Sequence, residues 1–79
     1  MRTTALYYQV RSSEEAVRIM TLVRMLAKEK GVKVLKIVPS GPYGLDEGVL
    51  GASTTCVKAT LTGPIGFADY IKSHLTELQ

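Results

Sequence analysis

One stretch constrains this chain more than any other: Ser12 to Gly31, SSEEAVRIMTLVRMLAKEKG, whose start, interior and stop all specify a helix. The Ser12 hydroxyl can accept from a free N–H of the first turn, and Glu15 stands three residues on, where it can reach back to the Ser12 N–H as a capping box. Glu14 and Glu15 place negative charge at the positive end of the helix dipole, and Lys28 and Lys30 place positive charge at the other. Gly31 supplies the left-handed residue that closes many helices. At about 100° per residue, Ala16, Ile19, Met20, Val23, Leu26 and Ala27 fall on one stripe, with Glu14, Arg18, Thr21, Arg24 and Lys28 opposite. Val17, Leu22 and Met25 lie off the stripe. They read either as flanks half-covered by neighbouring elements or as a second apolar surface meeting a partner.

Around this helix the remaining pattern is that of strands and one more helix. Thr3 to Arg11 alternates, with Leu6, Tyr8 and Val10 predicted to face the helices and Tyr7 and Gln9 the other side. VKVLKIVP after Gly31 is a second strand whose two faces are less distinct. Leu35 and Ile37 are read as its core residues, the reverse parity being the alternative. First strand, helix and second strand make a βαβ unit, for which a right-handed crossover and parallel strands are expected. Thr54 to Thr62 alternates again, Val57, Ala59 and Leu61 against Cys56, Lys58, Thr60 and Thr62, and this strand is predicted to begin near Val49. Gly63-Pro64 ends it. A last helix is predicted from Ile65 to Glu77, with Phe67, Ala68, Ile71, Leu75 and Leu78 on its apolar stripe.

The order β-α-β-β-α, as a two-layer α+β sandwich, resembles a ferredoxin-like fold that lacks its last strand. A contracted thioredoxin-like order is the runner-up, without a C-x-x-C to support redox chemistry. Missing that strand, the sheet is expected to leave an edge unpaired, which is a template for a second chain.

Size and charge limit the function classes. Seventy-nine residues make one domain, for which about 60–65% of the unfolded surface is buried on folding, so oligomerisation would help. A single cysteine excludes an internal disulfide framework. The N-terminus lacks a signal-peptide pattern, and no run approaches the ~20 apolar residues that span a bilayer. A soluble cytoplasmic protein is the expectation. The net charge of +3 is mildly basic, with Lys28, Lys30, Lys33 and Lys36 clustered. That cluster fits helix-dipole and strand-edge roles as well as a nucleic-acid patch.

Candidate chemistry concentrates in three places. Pro39–Ser53 holds two of the three prolines and four of the seven glycines, and is long for a connector without periodicity. Its glycines match neither phosphate-binding spacing, so the segment is a connector or a ligand loop. If it binds a ligand, Ser40, Gly41, Tyr43 and Asp46 are the contacts. Asp46 and Glu47, adjacent on a loop, point apart and make a poor dyad. His74 falls in the apolar stripe between Tyr70 and Leu78 and reads as a rim histidine bonded to a neighbour, or as a polar site. Cys56 falls on the strand face away from it, and one Cys with one His cannot form a zinc site. No catalytic residue, metal or cofactor is assigned.

The third place is the sheet face turned away from the helices, collecting Tyr7, Gln9, Cys56, Lys58 and Thr60. With Met25 of the helix, Tyr7, Gln9, Cys56 and Lys58 are the candidate partner-interface residues. Aromatics and lysines on an open sheet resemble RRM-type RNA-binding modules, but the third strand carries KATLTG where their aromatic motif would stand. The expected function is a small non-enzymatic ligand- or protein-binding or regulatory module acting as a homodimer. Two alternatives stand: a nucleic-acid-binding domain using the Lys28–Lys36 cluster and the open face, and a small enzyme sharing a site across a dimer interface.

Overall fold

The computed structural model describes residues 2–42, 45, 47, 48 and 50–78, the side chains of 76–78 excepted. Its elements run β1 (Arg2–Gln9), α1 (Ser13–Glu29), β2 (Lys33–Ser40), β3 (Cys56–Gly63) and α2 (Phe67–Leu78). This is a small α+β domain: a three-stranded antiparallel sheet, ordered β1-β3-β2, with two helices. β1 and β2 both run antiparallel to β3, so they are parallel to each other, but β3 lies between them.

Both ends of α1 follow from its terminal residues. The Glu15 N–H donates to Ser12 Oγ at 3.1 Å, while the Glu15 carboxylate accepts from the N–H of Arg11, at 3.4 Å, rather than from that of Ser12. The reciprocal half of the expected box is thus displaced by one residue. At the other end Gly31, at φ 67°, turns the chain so that the Val32 N–H reaches the Ala27 carbonyl at 2.8 Å. Gly31 N–H bonds to Lys28 O, and Val32 and Ala27 are both buried, which completes a Schellman closure.

Register sorts the strand residues onto two faces, because directly opposed residues share a face. Leu6 opposes Ala59, Tyr8 opposes Val57 and Thr4 opposes Leu61. This face carries the core: Leu6, Val57, Ala59 and Leu61 pack with Ala16, Ile19, Val23 and Ala27 of α1 and Phe67, Ile71 and Leu75 of α2. Burying each large aliphatic side chain stabilises the fold by about 1.5–3 kcal/mol.

Three boundaries and one parity differ from the sequence expectation. Leu35 is 52% exposed, not core, because a β-bulge between Val34 and Lys36 adds one residue to β2. Val34 opposes Leu61 before the bulge and Ile37 opposes Ala59 after it, so both face the helices and Leu35 is left out. β3 begins at Cys56 rather than near Val49, a residue outside those described. Just ahead of it a turn is closed by Thr54 N–H to Gly51 O, 3.1 Å, and by Gly51 N–H to Thr54 Oγ1, 3.0 Å. α2 begins at Phe67, not Ile65, because Gly66 at φ 92° redirects the backbone first. β1 ends at Gln9, so Arg11 lies beyond it.

Candidate functional site

The sheet's reverse face is laid out by the same register. Across it run the pairs Thr3–Thr62, Ala5–Thr60, Tyr7–Lys58 and Gln9–Cys56 between β1 and β3, then Lys36–Thr60, Val38–Lys58 and Ser40–Cys56 between β2 and β3. Its two ends differ. Toward Thr3, Ala5 and Lys33 the side chains are exposed, and Thr3 and Thr62 share a 2.8 Å hydrogen bond. Toward Ser40 and Cys56 the chain folds back over the face, and Ser40, Thr54 and Cys56 are buried.

That fold-back is held by the connection between β2 and β3. Gly41 N–H donates to Leu45 O at 2.6 Å and Gly48 N–H, at φ 86°, to Pro39 O at 2.8 Å. Thr55 N–H donates to Ser40 O at 3.0 Å, and Val10 N–H to Thr55 O at 2.9 Å, extending the ladder past β3 on both sides. The amides of Gly41, Gly48 and Gly51 are therefore spent inside the segment, not presented to an anion. The hydroxyl of Ser40 is buried with no hydrogen-bond partner. Tyr43 and Asp46 lie outside the described residues.

Glu47 completes the arrangement, and residue-by-residue reasoning did not find it. Its carboxylate accepts from Lys36 Nζ at 2.5 Å and from Lys58 Nζ at 2.9 Å, each cation eleven residues away along the chain. The hydrogen bond from Lys36 first, then that from Lys58, holds the Glu47 carboxyl below its ordinary range, and Glu47 in turn raises the Lys58 ammonium. Lys58 Nζ also lies 5.7 Å from the centroid of Tyr7. The only cue in the sequence was one acidic residue midway between two lysines of the same face.

The other candidates are dispersed. Tyr7 is 60% exposed and Gln9 is exposed, both on β1. Met25 is 55% exposed on α1, and Val17, two turns earlier, is exposed too, whereas Leu22 packs against the core. His74 is half-buried: its Nδ1–H donates to the Tyr70 carbonyl at 3.0 Å, and its ring lies 4.2 Å from that of Tyr70. Lys30 Nζ sits 4.3 Å from the centroid of the Tyr70 ring. The sheet separates His74 from Cys56. Among the described residues no three His, Cys, Asp or Glu side chains gather where a metal ion could be held. Among them, too, no helix is long and apolar enough to cross a membrane.

A concavity lies beside β1. A groove of about 540 Å³ runs between the outer edge of β1, from Arg2 to Ala5, and the turn into α2, from Pro64 to Asp69. Ile65, 86% exposed, stands in its wall. No protein-family model, curated protein or solved structure matches this sequence.

Proposed function

We propose that the chain is a small non-enzymatic binding or regulatory module that works as a homodimer. The observation that carries this is the outer edge of β1, which pairs with no further strand among the described residues, beside Thr3, Ala5, Tyr7 and Gln9, all exposed on the reverse face. The strand order supports a ferredoxin-like sandwich without its last strand, since β3 splits the βαβ unit. A thioredoxin-like arrangement keeps those two strands adjacent, and the order disfavours it. A reducing, cytoplasmic setting accords with one buried thiol and no disulfide partner.

The other two readings have less support. Lys36 and Lys58, the lysines central to the reverse face, share one carboxylate, so that face offers little free positive charge to a phosphate backbone. His74 donates to a carbonyl of its own helix and has no nucleophile beside it among the described residues.

Sedimentation equilibrium from about 10 μM to 1 mM tests the reading: a reversible monomer–dimer equilibrium is expected, and a monomer throughout sinks it. Retention on homopolymer RNA at two salt concentrations is expected to be nil at both. Salt-dependent retention would replace the module reading with the nucleic-acid one.

A further inference from the structure

The homodimer reading leaves open which surface the two copies share. We infer that they join through the outer edges of their β1 strands, antiparallel about a twofold axis, making one six-stranded sheet. This rests on the homodimer reading and goes beyond it by committing to one surface.

The two edges of the sheet are not equivalent. β2 carries Lys33 and Lys36, a proline at Pro39 and the bulge at Leu35. These are the devices by which edge strands resist pairing. An antiparallel β2 pair would interrupt its ladder at Leu35 and crowd four lysines into one strand's length. β1 has none of them. Arg2–Gln9, RTTALYYQ, pairs with β3 in unbroken register and is rich in β-formers, and its one charge is Arg2 at the end.

Self-pairing of β1 is electrostatically quiet. Directly opposed residues share a face, so the in-phase registers centre on Ala5 or on Leu6. Centred on Ala5, Arg2 meets the second copy's Tyr8, Thr3 meets Tyr7, and the two Arg2 residues stand about 20 Å apart, beyond a Debye length of about 8–10 Å. Centred on Leu6, Arg2 lies past the ladder's end. In neither do like charges oppose. On the helix side Ile65, in the groove along this edge, comes to lie beside the second copy's strand, which gives this most exposed of the described large hydrophobic residues a covered position.

The size of the contact fixes its strength class. The edge is about 27 Å long and the two-layer body roughly 20 Å deep, so the two copies together bury on the order of 1,100 Å². That is the low end for a specific interface, and it implies a reversible dimer that dissociates on dilution.

The test uses the full chain with Cys56→Ala and single nitroxide labels at Ala5→Cys or Leu35→Cys, with distances measured by pulsed spin resonance. Labels at position 5 are expected within about 15 Å. Labels at position 35 are expected beyond about 24 Å, five strand spacings apart. Ala5→Lys, on an exposed position, is expected to raise the dissociation constant at least tenfold with the circular dichroism spectrum unchanged. Ile65→Ser, outside the sheet, is expected to raise it severalfold and stands in should Ala5→Lys misfold. A dimer with close labels at 35 and distant labels at 5 overturns the β1 edge while keeping the homodimer. A monomer at 1 mM overturns both.

Discussion

The two margins of the sheet, β1 and β2, are each eight residues long and lie against the same central strand, yet they are built on opposite plans. β2 is interrupted, charged and continued by a segment that folds back over the sheet. β1 is regular, almost uncharged and, among the described residues, paired with no strand on its outer side. Edge protection costs regularity, and the domain applies it on one side only. An edge left unguarded beside a guarded one is an edge kept open for pairing.

The most damaging substitution falls on β3, which supports both margins. Leu61 is fully buried, opposite Thr4 on one side and Val34 on the other. Leu61→Ala should cost about 2–5 kcal/mol, a large share of the ~5 kcal/mol of a domain this size. In urea titrations both margins should unfold in one transition; separate transitions would mean the strands are not one cooperative unit.

A smaller and more pointed change deletes Leu35. Without the extra residue Val34, Lys36 and Ile37 alternate without interruption, so the fold should survive with a stability change of ~1 kcal/mol. The straightened β2 should then self-associate, read as larger species in light scattering. Unchanged size would mean that the lysines and Pro39 guard that margin without the bulge.

On the β1 side, Tyr8 carries a buried hydroxyl without a hydrogen-bond partner, and burial pushes its pKa up to about 12. Tyr8→Phe should be neutral or stabilising by up to ~1 kcal/mol at pH 7. The sign with pH is definite. An unfolded tyrosine ionises near 10, and the folded one resists until about 12, so stability should fall across that window. The Phe variant should lose less there. Equal losses in both proteins would refute a Tyr8 origin.

The smallest effect belongs to the β2 side. Glu47 is held ionised by Lys36 and Lys58, so its contribution is present above the ordinary carboxylate pKa near 4.5 and lost as pH falls through its lower folded value. Glu47→Gln should leave melting almost unmoved while amide exchange across residues 47–55 quickens. An unchanged exchange rate would show that backbone bonds alone hold the segment.

Helix α1 was legible because its signals are local: a serine cap, a glycine at positive φ and a stripe at helical spacing all lie within twenty residues. β1 and β3 were legible because their alternation is unbroken. β2 was not, since Val34 and Leu35 are both large and apolar, and nothing in either says which one the bulge discards. The boundary of α2 slipped for a similar reason: Pro64 and Ile65 suit a helix start, and the handedness of Gly66 overrides them. The Lys36–Glu47–Lys58 contact was hidden because it depends on how the segment after β2 returns to the sheet. Ser40 and Cys56 looked available for the same reason, and lie beneath that return.

The returning segment also puts a clock into the molecule. The chain's single cysteine, Cys56, is 7% exposed. A thiol reagent can reach it at speed only during the moments when the described part of the connection between β2 and β3 lifts away. Its alkylation rate in native buffer therefore counts those openings, and anything that settles on the segment should slow the count before it alters any static property of the domain.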